Sequence, residues 1–293
     1  MLERRIIRGI SLAFEWIDNG GELIVFLHGV GADRTAWEPQ LKFFSQLGYS
    51  VAAVDMRGTG ESQGRDENGI ALPITIADFA ADIDALILDL GFERAHWVGN
   101  SMGGVIIMEA LSSFPSYEAK RNSSDPNSPS YEAKRNRRGL GGGYSTIDKA
   151  VLANTFAKYP DAHLLLPRPA QALKTKSLAE FAAERIPFAH RPDIDPKILE
   201  ASIRAMAAKD VETYLLSWGE TWSHDYRESL KGVNCEGLVI TASLDKITPP
   251  ALGLEISGLI PGAQYHEIEN ASHLSNLDQP EEFNRVVWKF LKA

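Results

Sequence analysis

Apolar residues along this chain fall into two periods. Leu23–Leu27 (LIVFL) and Ser50–Val54 (SVAAV) are short, nearly unbroken apolar runs, the pattern of strands buried on both faces of a parallel sheet. Before them, residues 5–17 alternate loosely and predict an opening hairpin at the sheet edge. Trp37–Leu47 predicts a short helix stopped by Gly48. Between Thr75 and Leu90 the period lengthens to that of a helix. Phe79, Ile83, Leu86, Ile87 and Leu90 share one face, Thr75 with Asp78 makes the N-terminal cap, and Gly91 ends the run. Ala95–Val98 is strand-like again, and Val105–Met108 helix-like. Strand and helix in alternation mean parallel strands with right-handed crossovers, an open α/β sheet.

The second half resumes the sheet at Lys149–Ala153 (KAVLA), Gly237–Ala242 (GLVITA) and Gln264–Ile268. It closes on a helix whose apolar face is Phe283, Val286, Val287, Phe290 and Leu291. Residues 156–231 carry helical faces and no buried strand. Leu178, Phe181 and Ala182 make one, Leu199, Ile203 and Met206 a second, and Val211, Tyr214, Leu215 and Trp218 a third. The predicted organisation is therefore a core (1–155), an inserted helical cap (156–231) and the remainder of the core (232–293). Within the first part, residues 115–122 (PSYEAKRN) recur unchanged at 129–136, separated by polar, Pro-broken sequence and followed by a Gly-rich stretch. Two copies of so short a unit cannot stack as a repeat protein. The segment 116–144 is expected to be a mobile surface insertion.

Composition narrows the function classes. The formal charge of −9 disfavours nucleic acid as a partner despite the Lys134–Arg138 cluster. No apolar run approaches the roughly 20 residues that span a bilayer, and charges interrupt the N-terminus where a secretory signal needs an apolar centre. The single cysteine, Cys235, excludes an internal disulfide and a thiolate metal cluster. A reducing, cytoplasmic setting is expected.

The chemistry is written at strand ends, where the reactive site of such a sheet lies. Trp97–Gly104 reads WVGNSMGG, a G-x-S-x-G turn between strand and helix with Ser101 at its apex. A serine needs a base, and the base an orienting acid. Of the seven histidines, His273 stands in the loop between the last strand and the last helix, on the rim that carries Ser101. Asp245 follows strand 237–242 on the same rim. The order Ser, Asp, His matches a nucleophile-elbow hydrolase. The amides of Met102 and Val30 are the expected oxyanion donors. His28 is expected to close its loop by hydrogen bonds, and Asp55 and Arg57 to knit the neighbouring one.

The strings HGVG, DMRGTGES, GNSMGG, LDKITPP and ASHLSNLDQPEEF, in this order, resemble the α/β-hydrolase family. Within it, SMGG, TPP, IPGA and SHLSN with QPEEF resemble 3-oxoadipate enol-lactonases and their esterase relatives. Asn100 departs from that pattern, as does the duplicated insertion. The resemblance implies an α/β-hydrolase fold, Ser101 as nucleophile, His273 as base, Asp245 as orienting acid, and a small ester or lactone substrate, with no metal or organic cofactor. An enol-lactone carries carboxylates, so Arg185, Arg191 and Arg204 are candidate cations, and Trp218, Trp222 and Met206 candidate apolar walls. The same fold admits a C–C hydrolase of ring-fission diketones, a cofactor-free perhydrolase or haloperoxidase, and a small-molecule receptor with vestigial turnover. An epoxide hydrolase or dehalogenase is disfavoured, because either needs a carboxylate where Ser101 stands.

Overall fold

The structure, a computed structural model, describes residues 1–113 and 145–293. The 116–144 insertion lies outside the described residues. One eight-stranded sheet organises the rest, in the order β1-β2-β4-β3-β5-β6-β7-β8. β1 (Leu2–Ile7) and β2 (Ile10–Ile17) form the expected edge hairpin, and β2 runs antiparallel to β4 (Ser50–Val54). Every other pairing is parallel. It joins β3 (Leu23–Leu27), β5 (Arg94–Asn100), β6 (Thr146–Ala153), β7 (Glu236–Ala242) and β8 (Gln264–Ile268).

Alternation along each strand sorts the core onto two faces. Leu23, Val25 and Leu27 of β3 face one layer with Trp97, Leu152 and Val239, against α2 (Ile76–Asp89), α3 (Met102–Ser113) and α9 (Pro250–Leu259). Ile24 and Phe26 face the other, against α1 (Glu38–Gln46) and α11 (Pro280–Leu291). Both faces being covered is why β3 reads as one continuous apolar run. At the start of α2 the Thr75 hydroxyl accepts from Asp78 N at 3.0 Å and donates to the Asp78 carboxylate at 2.8 Å, satisfying a helix-terminal amide.

Between β6 and β7 the described chain forms short helices α4 (Ala162–Leu165) and α5 (Arg168–Ala172), then α6 (Leu178–Arg185), α7 (Pro196–Ala207) and α8 (Val211–Trp222). The three predicted faces are α6, α7 and α8, though Val211 is exposed because it opens α8 rather than packing beneath it. The short α10 (Ser275–Asp278) precedes α11. Among the described residues no helix is long and apolar enough to cross a membrane.

Candidate active site

β5 ends at Asn100 and α3 begins at Met102, leaving Ser101 alone in the turn with φ of 55°. A left-handed, non-glycine backbone is strained, and its surroundings enforce it. Ser101 N donates to Ala153 O at 2.9 Å, and the Thr155 hydroxyl donates to Ser101 O at 2.9 Å. The flanking glycines leave no alternative. A Cβ on Gly99 would stand 2.4 Å from the Gly103 carbonyl, and one on Gly103 would stand 2.1 Å from Leu27 O. The motif is thus a packing requirement: α3 can start this close to β3 and β5 only without those side chains.

The loop after β3 passes over the serine, since a Cβ on Gly29 would lie 3.2 Å from Ser101 Cβ. Ala32 N donates to Gly29 O at 3.0 Å, closing a turn whose central amides, Val30 and Gly31, take no part in that bond. His28 braces it: Nδ1–H donates to Gly29 O at 2.8 Å and Nε2 accepts from Met56 N at 3.2 Å. Acceptance at Nε2 requires the neutral ring. Burial first, and then the Lys209 charge, lower the His28 pKa to about 4. Asp55 and Arg57 hold the neighbouring loop. The Asp55 carboxylate accepts from Arg34 N and Glu61 N, each at 2.8 Å, and Arg57 makes a two-pronged bond to Asp82.

His273 Nδ1–H donates to Asp245 Oδ2 at 2.9 Å. Asp245 is buried and its carboxylate is saturated: Oδ1 accepts from Ile247 N and Thr248 N, and Oδ2 from the Thr248 hydroxyl and the Asn154 amide. Burial alone would raise this carboxyl's pKa. The His273 charge and the bonds from His273 and Thr248 outweigh it and hold the pKa below the ordinary value. Ser101 and His273 line one cavity of about 70 Å³. Among the described residues no direct hydrogen bond joins the Ser101 hydroxyl to the imidazole; in unliganded sites such bonds are often long and tighten on binding. Cys235, the single cysteine, has its thiol pushed up to about 12, mainly by burial, which disfavours a reactive thiolate.

The helical segment supplies the far wall. Arg185, Met206, Trp218 and Trp222 line the cavity. Arg191 and Arg204 do not. Arg191 is engaged by Asp193 at 2.7 Å, and Arg204 lies 70% exposed beside Glu200 on the face of α7 opposite Met206. Two residues apart on a helix is more than half a turn around, so Arg204 and Met206 cannot share a face. Ser202, four residues before Met206, does reach the cavity, and its hydroxyl meets His190 Nε2 at 3.0 Å. His190, Asp278, Lys209 and Asn154 had no local signal marking them; each owes its place to a partner far away in the chain.

A model described as the alpha/beta hydrolase family matches residues 24–286. The chain belongs to this family. Among its relatives, 3-oxoadipate enol-lactonase 1 of Acinetobacter baylyi is 26% identical over 273 residues, covering 92% of this chain and 88% of its own. A 2-hydroxy-6-oxononadienedioate/2-hydroxy-6-oxononatrienedioate hydrolase of Burkholderia vietnamiensis is 26% identical over 296 residues, covering 97% and 92%. Of solved structures, the enol-lactonase from Burkholderia xenovorans matches with a TM-score of 0.80 at 25% identity, covering 99% of this chain and all of the other.

Proposed function

We propose that this α/β hydrolase cleaves a small carboxylic ester or lactone through an acyl-enzyme on Ser101. The observation that carries the proposal is the strained serine between two sets of turn amides, facing a cavity that it shares with an aspartate-bound histidine. His273 takes the hydroxyl proton as Ser101 Oγ bonds to the acyl carbon. The amides of Met102, first in α3, and Val30, central in its turn, receive the oxyanion. The protonated His273 then gives its proton to the departing alkoxide. Water, deprotonated by the same ring, releases the acid and restores Ser101. Residues 156–231 act as the cap over this chemistry.

A cavity of about 70 Å³ lies below the several hundred typical of ligand sites, which suits a small acyl group. Arg185 lies 5.7 Å above the Trp218 ring and makes no ion pair among the described residues, leaving its guanidinium for a substrate carboxylate. That favours an acidic lactone, in keeping with the relatives named enol-lactonase. One observation favours a second reading. Asn100, beside Ser101 in the cavity wall, has both amide atoms buried without a partner among the described residues. A substrate with a second oxygen near the scissile bond would satisfy it, as a ring-fission diketone does, and the same three residues would then break a carbon–carbon bond.

The test is a panel of carboxylated and uncarboxylated lactones, p-nitrophenyl acetate and a vinylogous diketone, combined with fluorophosphonate labelling read by peptide mass. Labelling is expected on Ser101, with turnover highest for the carboxylated lactone. Label elsewhere would discard the mechanism. A dominant diketone activity would select the second reading.

A further inference from the structure

Lys209 follows α7 and is 8% exposed, and among the described residues it forms no ion pair. Its Nζ donates to Ala32 O at 2.7 Å. Among the described residues no other hydrogen bond joins residues 156–231 to the Gly29–Asp33 loop. Burying an ammonium without a bonded carboxylate is costly, and an apolar side chain of the same length would fill the space without that cost. The cation has therefore to be accounted for by what it holds.

It holds one end of the turn that presents Val30. His28 bonds the carbonyl at the start, Gly29 O, and Lys209 the carbonyl at the end, Ala32 O. A misplacement of about 1 Å in a catalytic group can cost about a hundredfold in rate, and an oxyanion donor acts at about 2.7–3.1 Å. We propose that Lys209 is a positioning residue for the reaction: by gripping Ala32 O from the helical segment, it sets the Val30 amide against the oxyanion. This rests on the reading that Val30 is an oxyanion donor.

The charges facing Lys209 come from Asp33 and Asp55, the latter bound by Arg34, and the neighbouring titratable group is the His28 ring. Burial, against the pull of the two carboxylates, lowers the Lys209 pKa to about 8. His28, at about 4, stays neutral across the working range. Below pH 8 Lys209 makes a charge-assisted bond to Ala32; above it the bond weakens. Stability runs the other way. Between about 8 and the ordinary lysine value of 10.5, the unfolded chain binds more protons than the folded one. Lys209's contribution to stability therefore rises with pH in that window while the grip loosens.

Lys209→Met and Lys209→Arg, with Ser101→Ala as reference, separate these effects. Lys209→Met is expected to lower kcat about tenfold with KM within about twofold, to lose the alkaline limb near pH 8, and to melt no earlier than the parent. Lys209→Arg should recover part of kcat and show no limb. In the unmutated protein the Val30 and Gly31 amide resonances should titrate near pH 8, a readout that survives if Lys209→Met fails to fold. Unchanged kcat and pH profile in Lys209→Met, or flat amide resonances in the parent, would overturn the proposal. Activity surviving Ser101→Ala would instead remove the mechanism beneath it, and the amide titration would still decide whether Lys209 grips the loop.

Discussion

Two buried histidine–aspartate pairs meet in this molecule, each accompanied by a serine of one cavity. In one, His273 bonds Asp245 at 2.9 Å; in the other, His190 bonds Asp278 at 2.8 Å and Ser202 at 3.0 Å. Each aspartate also accepts two backbone N–H groups, Ile247 and Thr248 in the first case, Arg191 and Ser272 in the second. Both serines line the same cavity. The difference lies in the backbone. Ser202 sits within α7, where the neighbouring amides are committed to the helix ladder. Ser101 sits at φ of 55°, outside the helix, with Met102 N–H at the helix start and the Val30 turn nearby. Identical side chains thus have unequal backbone surroundings, and in the proposed mechanism it is the elbow that suits Ser101 to acyl transfer.

The second pair has a different task in the fold. Asp278 grips Ser272 N, and Leu274 N donates to Ala189 O at 2.9 Å, so both neighbours of His273 are tied down, one of them directly to the helical segment. A hydrogen-bonded series that looks catalytic fastens the loop that carries His273.

Removing each hydroxyl in turn separates the two serines most widely. Ser101→Ala is expected to lower kcat on the best ester or lactone at least about 10⁴-fold. A folded Ser101→Ala protein that keeps a tenth of the activity would show that the elbow confers nothing.

Asp245→Asn comes next, with a loss of about 10²–10⁴-fold. The same variant removes the buried negative charge. Because the Asp245 pKa is held below its ordinary value, its carboxylate contributes stability above the unfolded carboxyl range, and that contribution fades as pH falls through the folded value. The melting temperatures of parent and Asp245→Asn should therefore differ most near neutrality and converge in acid. A gap independent of pH would remove the charge from the explanation.

The smallest effects belong to the second pair. Asp278→Asn should destabilise the fold by about 1–3 kcal/mol in urea and lower kcat less than about tenfold through the His273 loop. Ser202→Ala should change kcat less than about threefold. If Ser202→Ala were as damaging as Ser101→Ala, the distinction drawn from the backbone would be wrong.

Much of this was written in local sequence. The double-faced burial of β3 follows from LIVFL, and the elbow from Gly99 and Gly103, because an adjacent Cβ has nowhere to go in so tight a turn. Asp245 and His273 could be placed on the Ser101 rim because parallel strands all deliver their following loops to one edge. The tertiary structure alone decided which side of α7 faces the cavity, separating Ser202 and Met206 from Arg204. It alone set Arg191 on Asp193, Lys209 under the Ala32 carbonyl, and His190 against Asp278. The reason is physical. Periodicity records which face of an element avoids water, but a buried ammonium or imidazole takes its role from a group brought to it by packing. That group here lies 88 residues away for His190 and 177 for Lys209.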